Sequence, residues 1–162
     1  MIVREMTEAD LPAVLELEHA LFPEDAWSEG MFRDELRQRP HTRHYVLAEE
    51  EPGTLIGYAG LAAADGTGDV QTIGVRHAHW GRGVGAALLS ALLAEAVARG
   101  CTEVFLEVRA DNERAKKLYR RFGFEEVGVR KRYYQPSGVD AIVMCRPAGR
   151  AGTDAVREAR GG

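Results

Sequence analysis

Cysteine is scarce in this chain. Cys101 and Cys145 are the only two among 162 residues, far apart and without His or Cys companions at metal-ligand spacing. Such a pair argues for two reduced, buried thiols and against a disulfide framework or a zinc site, so no metal is expected. The five histidines show no ligand spacing either and read as surface residues. No apolar run approaches the roughly 20 residues that a membrane helix needs, and the start lacks a charged segment followed by an apolar one. A cytoplasmic chain without membrane contact is the expectation. Positive charge is not in surplus: 21 Lys and Arg stand against 25 Asp and Glu, a net charge of −4. That balance argues against direct nucleic-acid binding, while a basic peptide could still be attracted. No internal repeat is visible. With 45% hydrophobic residues the chain can bury one core, so residues 1–147 are read as a single domain acting as a monomer. After Pro147 the composition turns to Ala, Gly, Arg and Glu without an apolar stripe, and residues 148–162 are expected to be a disordered tail.

Seven strands and four helices follow from periodicity and from capping and turn residues. Residues 2–4 form a short strand candidate. Thr7 to Asp10 supply helix-start chemistry for a first helix ending near Leu21, with Pro12 tolerable only in its first turn. Ser28 can cap a second helix that carries Met31, Phe32 and Leu36 up to Arg39-Pro40. Strands are expected over 45–49, 55–63 and 70–75, the last after a turn spanning Asp65 to Asp69. A helix over 83–99 places Val84, Leu88, Leu89, Leu92, Leu93, Ala96 and Val97 at helical spacing before Gly100 stops it. The strand over 103–109 alternates, with Glu107 on the face opposite Val104, Leu106 and Val108. Asp111 or Asn112 caps the fourth helix, which Gly123 ends, and strands over 124–129 and 141–144 close the domain around strand ends and a loop at 130–140. Short early turns imply antiparallel pairing and the long central helix a parallel crossover, so the sheet is mixed.

Glycine is plentiful, at 18 residues, and a dense cluster of it follows a strand end. Ile73-Gly74-Val75 leads through Arg76-His77-Ala78-His79-Trp80 into Gly81-Arg82-Gly83-Val84-Gly85-Ala86 at a helix start. Glycines let backbone amides close on a ligand, and a helix start adds unpaired donors and a positive dipole end, a geometry suited to a pyrophosphate. Gly81-x-Gly83-x-x-Ala86 also fits a dinucleotide fingerprint, with Glu107 at the distance of a ribose-binding acid. The five residues between Val75 and Gly81 are too many for that tight turn, and no Gly-Lys-Ser/Thr follows to make a Walker loop.

Arg82-Gly83-Val84-Gly85-Ala86 after Ile73-Gly74-Val75, then Leu106-Glu107-Val108-Arg109, Asn112, Tyr119 and Phe122-Gly123-Phe124, resembles the GNAT superfamily of acetyl-CoA-dependent N-acetyltransferases. Trp27-Ser28-Glu29, Tyr133-Tyr134 and Asp140-Ala141 are similar to its RimI type, the ribosomal-protein alanine N-acetyltransferases. The pattern departs at Trp80, where Gln or Arg is common, and at Ala26, Arg132 and Val139 in regions that shape the peptide site.

The resemblance implies an α+β GNAT fold, a mixed and mostly antiparallel sheet of about seven strands with four flanking helices. It implies acetyl-CoA as co-substrate, held by Ile73, Gly74 and Val75 along the pantetheine arm and by Gly81, Arg82, Gly83, Val84, Gly85 and Ala86 at the pyrophosphate, with Asn112 as a further contact. It implies Glu107 as general base, Tyr119 as general acid, and Trp27, Tyr133 and Tyr134 along a channel for the N-terminus of a ribosomal protein. Read without the family, Glu107 is equally a surface residue or an ion-pair partner of Arg109. Tyr119 is then a core aromatic, Asn112 a helix cap, Arg82 a solvated cation, and the other aromatics packing residues. A lysine or small-molecule acceptor, or a non-catalytic acetyl-CoA sensor, are the alternatives.

Acid–base arithmetic favours an α-amine. With a reference pKa near 7.8 it is roughly 14% neutral at pH 7, against about 0.04% for a lysine, a gap of about 3.5 kcal/mol. One carboxylate contributing about 10²–10⁴-fold suits the easier target.

Overall fold

The computed structural model describes residues 1–147; the expected tail at 148–162 lies outside the described residues. Seven strands follow the hydrogen-bonded order β1-β2-β3-β4-β5-β7-β6. Two compact units emerge, Met1–Ala62 with Gln71–Leu92, and Ala63–Val70 with the residues from Leu93 onward.

In the first unit β1 (Ile2–Glu5) pairs antiparallel with β2 (Arg43–Glu49), and β2 with β3 (Leu55–Ala64). Thr7 and Asp10 bond to each other around a 3-10 turn at Glu8–Asp10, and α1 (Leu11–Leu21) follows with Pro12 in its first turn. Ser28 caps α2 (Glu29–Arg37) by accepting from the Met31 amide at 3.2 Å. Leu11, Val14 and Leu17 of α1 and Phe32 and Leu36 of α2 join Met6, Tyr45, Leu47, Leu55 and Tyr58 in one core cluster. Each such side chain contributes roughly 1.5–3 kcal/mol when fully buried.

Close packing in this unit needs missing side chains. A Cβ at Gly60 would lie 2.2 Å from the Tyr45 ring, and one at Gly57 would lie 2.9 Å from the Gly74 carbonyl and 3.0 Å from Leu88. A Cβ at Gly74 would lie 2.8 Å from the Tyr58 hydroxyl. That hydroxyl donates to the buried Glu18 carboxyl, which also accepts from the Trp27 amide at 2.9 Å.

The turn between β3 and β4 (Thr67–Val75) is shorter than the sequence suggests. Asp65 and Gly66, at φ 53° and 82°, make a two-residue reversal, and Thr67 to Asp69 are already strand. The reason is pairing: in the second unit Thr67, Gly68, Asp69 and Val70 lie parallel to Glu103, Val104, Phe105 and Leu106 of β5 (Glu103–Arg109), where that ladder ends. β5 pairs antiparallel with β7 (Val139–Pro147), and β7 with β6 (Glu125–Tyr134) at the sheet edge. The expected loop at 130–140 therefore shrinks to the few residues between β6 and β7, because strand pairing runs on through Tyr134 opposite Val139.

Between the halves of the sequence, α3 (Val84–Ala98) matches its expected limits within a residue, and Gly100 ends it at φ 78°. Its expected apolar stripe is buried except Val97, which is half exposed. α4 (Glu113–Arg121) is capped by Asn112, whose side chain accepts from the Ala115 amide at 3.1 Å. Both cysteines are free thiols, Cys101 buried and Cys145 only partly so. No helix among the described residues is long and apolar enough to cross a membrane.

Burial holds the Glu18 carboxyl above the ordinary carboxylate value of 4.5, so the folded chain binds that proton more tightly than the unfolded one. This group therefore favours folding at acid pH, and its contribution declines as the pH rises past 4.5. Glu18→Gln keeps an acceptor without the charge and should flatten that dependence in thermal melts from pH 4 to 8. Glu18→Ala leaves the Tyr58 hydroxyl and the Trp27 amide without their acceptor and should cost about 1–3 kcal/mol in denaturant unfolding.

Candidate active site

The glycine turn is built from β4 outward. Gly74 is buried between the partly buried Ile73 and Val75. The Arg76 amide donates to the Ile56 carbonyl at 2.8 Å and its guanidinium to the Leu55 carbonyl at 3.1 Å, anchoring the exit from the strand on β3. A 3-10 turn at His77–His79 follows. Trp80 turns back so that its indole N–H donates to the Val75 carbonyl at 2.8 Å, with His77 edge-on to its ring at 4.5 Å. His79 is not the surface residue expected; its ring is largely covered and meets the Glu50 carboxylate at 2.9 Å. That contact holds the Glu50 carboxyl below its usual range.

Gly81 and Gly83 then take φ of 77° and 81°, conformations that residues bearing a Cβ adopt only at a cost. Gly81, Arg82 and Gly83 are exposed, Val84 is buried, and Gly85 and Ala86 are partly buried in the first turn of α3. Helix geometry leaves the first amides of α3 without intrahelical acceptors, at the positive end of the helix dipole. The arrangement fits a pyrophosphate: two left-handed glycines with no neighbour crowding their Cβ positions, followed at once by free donors.

In the second unit the alternation of β5 buries Val104, Leu106 and Val108 and leaves Glu107 exposed, as its spacing implies. Glu107 pairs with Arg130 of β6, with Nε 3.3 Å from Oε1. Arg109 meets Asp111 at 3.1 Å and lies 5.4 Å from the centre of the Tyr134 ring. Burial, and secondarily the Glu107 carboxylate, hold the Tyr133 phenol protonated to higher pH than usual. Tyr133 and Tyr134 stand edge to face with centroids 5.1 Å apart.

Tyr119 is 5% exposed on α4, edge-on to Phe124 at 5.9 Å. Burial, and secondarily the neighbouring Tyr134, push its ionisation well above the ordinary phenol value. Asn112 caps α4 as described. Trp27 packs on Phe32 with centroids 5.1 Å apart and belongs to the rim of the first unit's core. The structure thus gathers Ile73 to Val75 and Gly81 to Ala86 into one strand–turn–helix passage, and Glu107 and Arg130 into one ion pair beside Tyr133 and Tyr134. Arg130 is the member of this group that the sequence reading missed. Its signal lies in strand register, which a bulged strand does not reveal from sequence.

Residues 11–124 match the model of the acetyltransferase (GNAT) family. The chain belongs to that family. It is 47% identical over 149 residues to N-alpha-acetyltransferase RimI of Mycobacterium tuberculosis (strain ATCC 25618 / H37Rv), covering 89% of this chain and 90% of that protein. It is 32% identical over 150 residues to the [ribosomal protein bS18]-alanine N-acetyltransferase of Escherichia coli (strain K12), covering 90% and 96%. The crystal structure of the ribosomal-protein-S18-alanine N-acetyltransferase from Escherichia coli superposes with a TM-score of 0.81 at 29% identity, covering 93% of this chain and 96% of that one. The fold is therefore the GNAT fold, and as a GNAT enzyme the chain is an N-acetyltransferase that uses acetyl-CoA.

Gly83→Ala tests the turn. The left-handed backbone makes a Cβ there cost roughly 1–2 kcal/mol. Loss of donor affinity in calorimetric titration with acetyl-CoA, larger than that loss of stability alone produces, is the expected outcome.

Proposed function

We propose that the chain acetylates the N-terminal amine of a ribosomal protein, alanine preferred, with Glu107 as general base and Tyr119 as general acid. The observation that carries this reading is Glu107 itself. It is an exposed carboxylate between the buried Leu106 and Val108, paired with Arg130 and acting on the phenol of Tyr133, one of the tyrosines expected along the peptide channel. Similarity to proteins named as alanine N-acetyltransferases, over about nine-tenths of each chain, supports the acceptor. An α-amine is also the acceptor that one carboxylate can serve without a deeply perturbed lysine.

Acetyl-CoA supplies an activated acyl carbon bonded to sulfur. The amide donors of residues 81–86 and the dipole of α3 hold its phosphates, and the end of β4 offers backbone groups along its arm. The nitrogen lone pair of the peptide forms the new bond to the acyl carbon, and the carbon–sulfur bond breaks with its electron pair leaving on sulfur. Glu107 receives the proton released by nitrogen. Tyr119, kept protonated by its burial, gives a proton to sulfur and is reprotonated from solvent.

Glu107→Gln should lower kcat about 10²–10⁴-fold and Tyr119→Phe should lower it as well, each with acetyl-CoA affinity retained. Normal turnover in both variants would remove these residues from the chemistry. Turnover of the native enzyme should rise with pH as the amine loses its proton. Because the Tyr119 phenol is held above its ordinary value of 10.0, its ionisation should bring no falling limb below about pH 10.

Acceptor identity is decided by incubating the protein and acetyl-CoA with free-amine, N-blocked and lysine-bearing peptides and locating the acetyl group by mass spectrometry. Product on the free-amine alanine peptide alone is expected. Product only on lysine assigns the other acceptor, and binding without product assigns a sensor.

A further inference from the structure

Strand register brings a cation to the proposed base. Glu107 of β5 and Gly128 of β6 both lie opposite Val143 of β7, while Arg109 and Arg130 both lie opposite Ala141. Glu107, Arg109 and Arg130 therefore share one face of the sheet. On the outer strand Gly128 carries no side chain, and Arg130 reaches inward across β7 to place Nε 3.3 Å from the Glu107 carboxylate. The Tyr133 ring lies 5.9 Å from the Arg130 guanidinium. Of the other groups on this face, Val143 is apolar, and Arg109 is engaged by Asp111 and the Tyr134 ring. Asp140 of β7 is taken up by Lys131 and by the Arg132 amide.

A carboxylate facing an amine has two opposed effects. It can accept a proton in the reaction, yet its charge also stabilises the ammonium form, whose nitrogen has no lone pair to attack with. A guanidinium beside the carboxylate offsets the second effect.

We propose that Arg130 is a positioning residue that partly neutralises Glu107, so that the substrate amine is met in its unprotonated form. The inference rests on the reading of Glu107 as the base. Arg130 side-chain exposure is 58%, so its replacement leaves the fold intact and its electrostatic effect is moderated by solvent.

The test is the pH profile of kcat at low ionic strength, with saturating acetyl-CoA and an alanine-initiated peptide, for the native enzyme and for Arg130→Met, Arg130→Lys and Glu107→Gln. In Arg130→Met the acidic limb should move up by about half to one pH unit, and Arg130→Lys should return it most of the way. Loss of activity that is uniform across pH, with the limb unmoved and Glu107→Gln slow, overturns the role of Arg130 and leaves the base assignment standing. Full turnover in Glu107→Gln removes the base assignment and this inference together.

Discussion

The first unit depends on how closely the Tyr58 ring can approach β4. Only a residue without a Cβ at position 74 admits that ring, and only from there does its hydroxyl reach the Glu18 carboxyl. Glu18 in turn fixes the amide of Trp27. One missing methyl thus ties the strand end that precedes the glycine turn to α1 and to the start of α2. Gly57 on the neighbouring strand extends the constraint, since its empty position receives the Gly74 carbonyl and the side chains of Val84 and Leu88 at the start of α3. The strand and the helix on either side of the turn are held by packing against glycine.

The second unit supports an exposed carboxylate on a strand whose Leu106 and Val108 are buried on either side of it. Glu107 pairs with Arg130 of the edge strand, and Arg109 meets Asp111 and the Tyr134 ring. Burial, and secondarily the Glu107 carboxylate, hold the Tyr133 phenol protonated to higher pH, and burial, with Tyr134 second, does the same for Tyr119.

Much of this was legible in the residues. Periodicity located α3 nearly to the residue because a long apolar stripe and a terminating glycine agree there, and Ser28 and Asn112 cap the helices their side chains suggest. The strands at the sheet margins were harder to delimit. Residues 124–129 read as strand, but Arg130 to Tyr134 are polar and nearly all exposed, and only pairing with β7 carries the strand through them. Thr67 to Asp69 reads as turn by composition and is strand because β5 supplies partners. The same limit hid Arg130, whose meeting with Glu107 depends on pairing through β7 past an irregularity at Gly128. Arg146 escaped notice for another reason: nothing in its neighbours announces that a guanidinium will be 1% exposed, with Nε and Nη1 lacking hydrogen-bond partners among the described residues.

The outer margin of β6 has a consequence for crowding. A long unaccompanied strand bearing exposed Val127 and Val129 would ordinarily invite a neighbouring chain to add itself. Here the ladder shifts register beside Gly128, and three consecutive cations, Arg130, Lys131 and Arg132, follow. An uneven backbone and a run of cationic side chains make that rim a poor template for intermolecular strand addition.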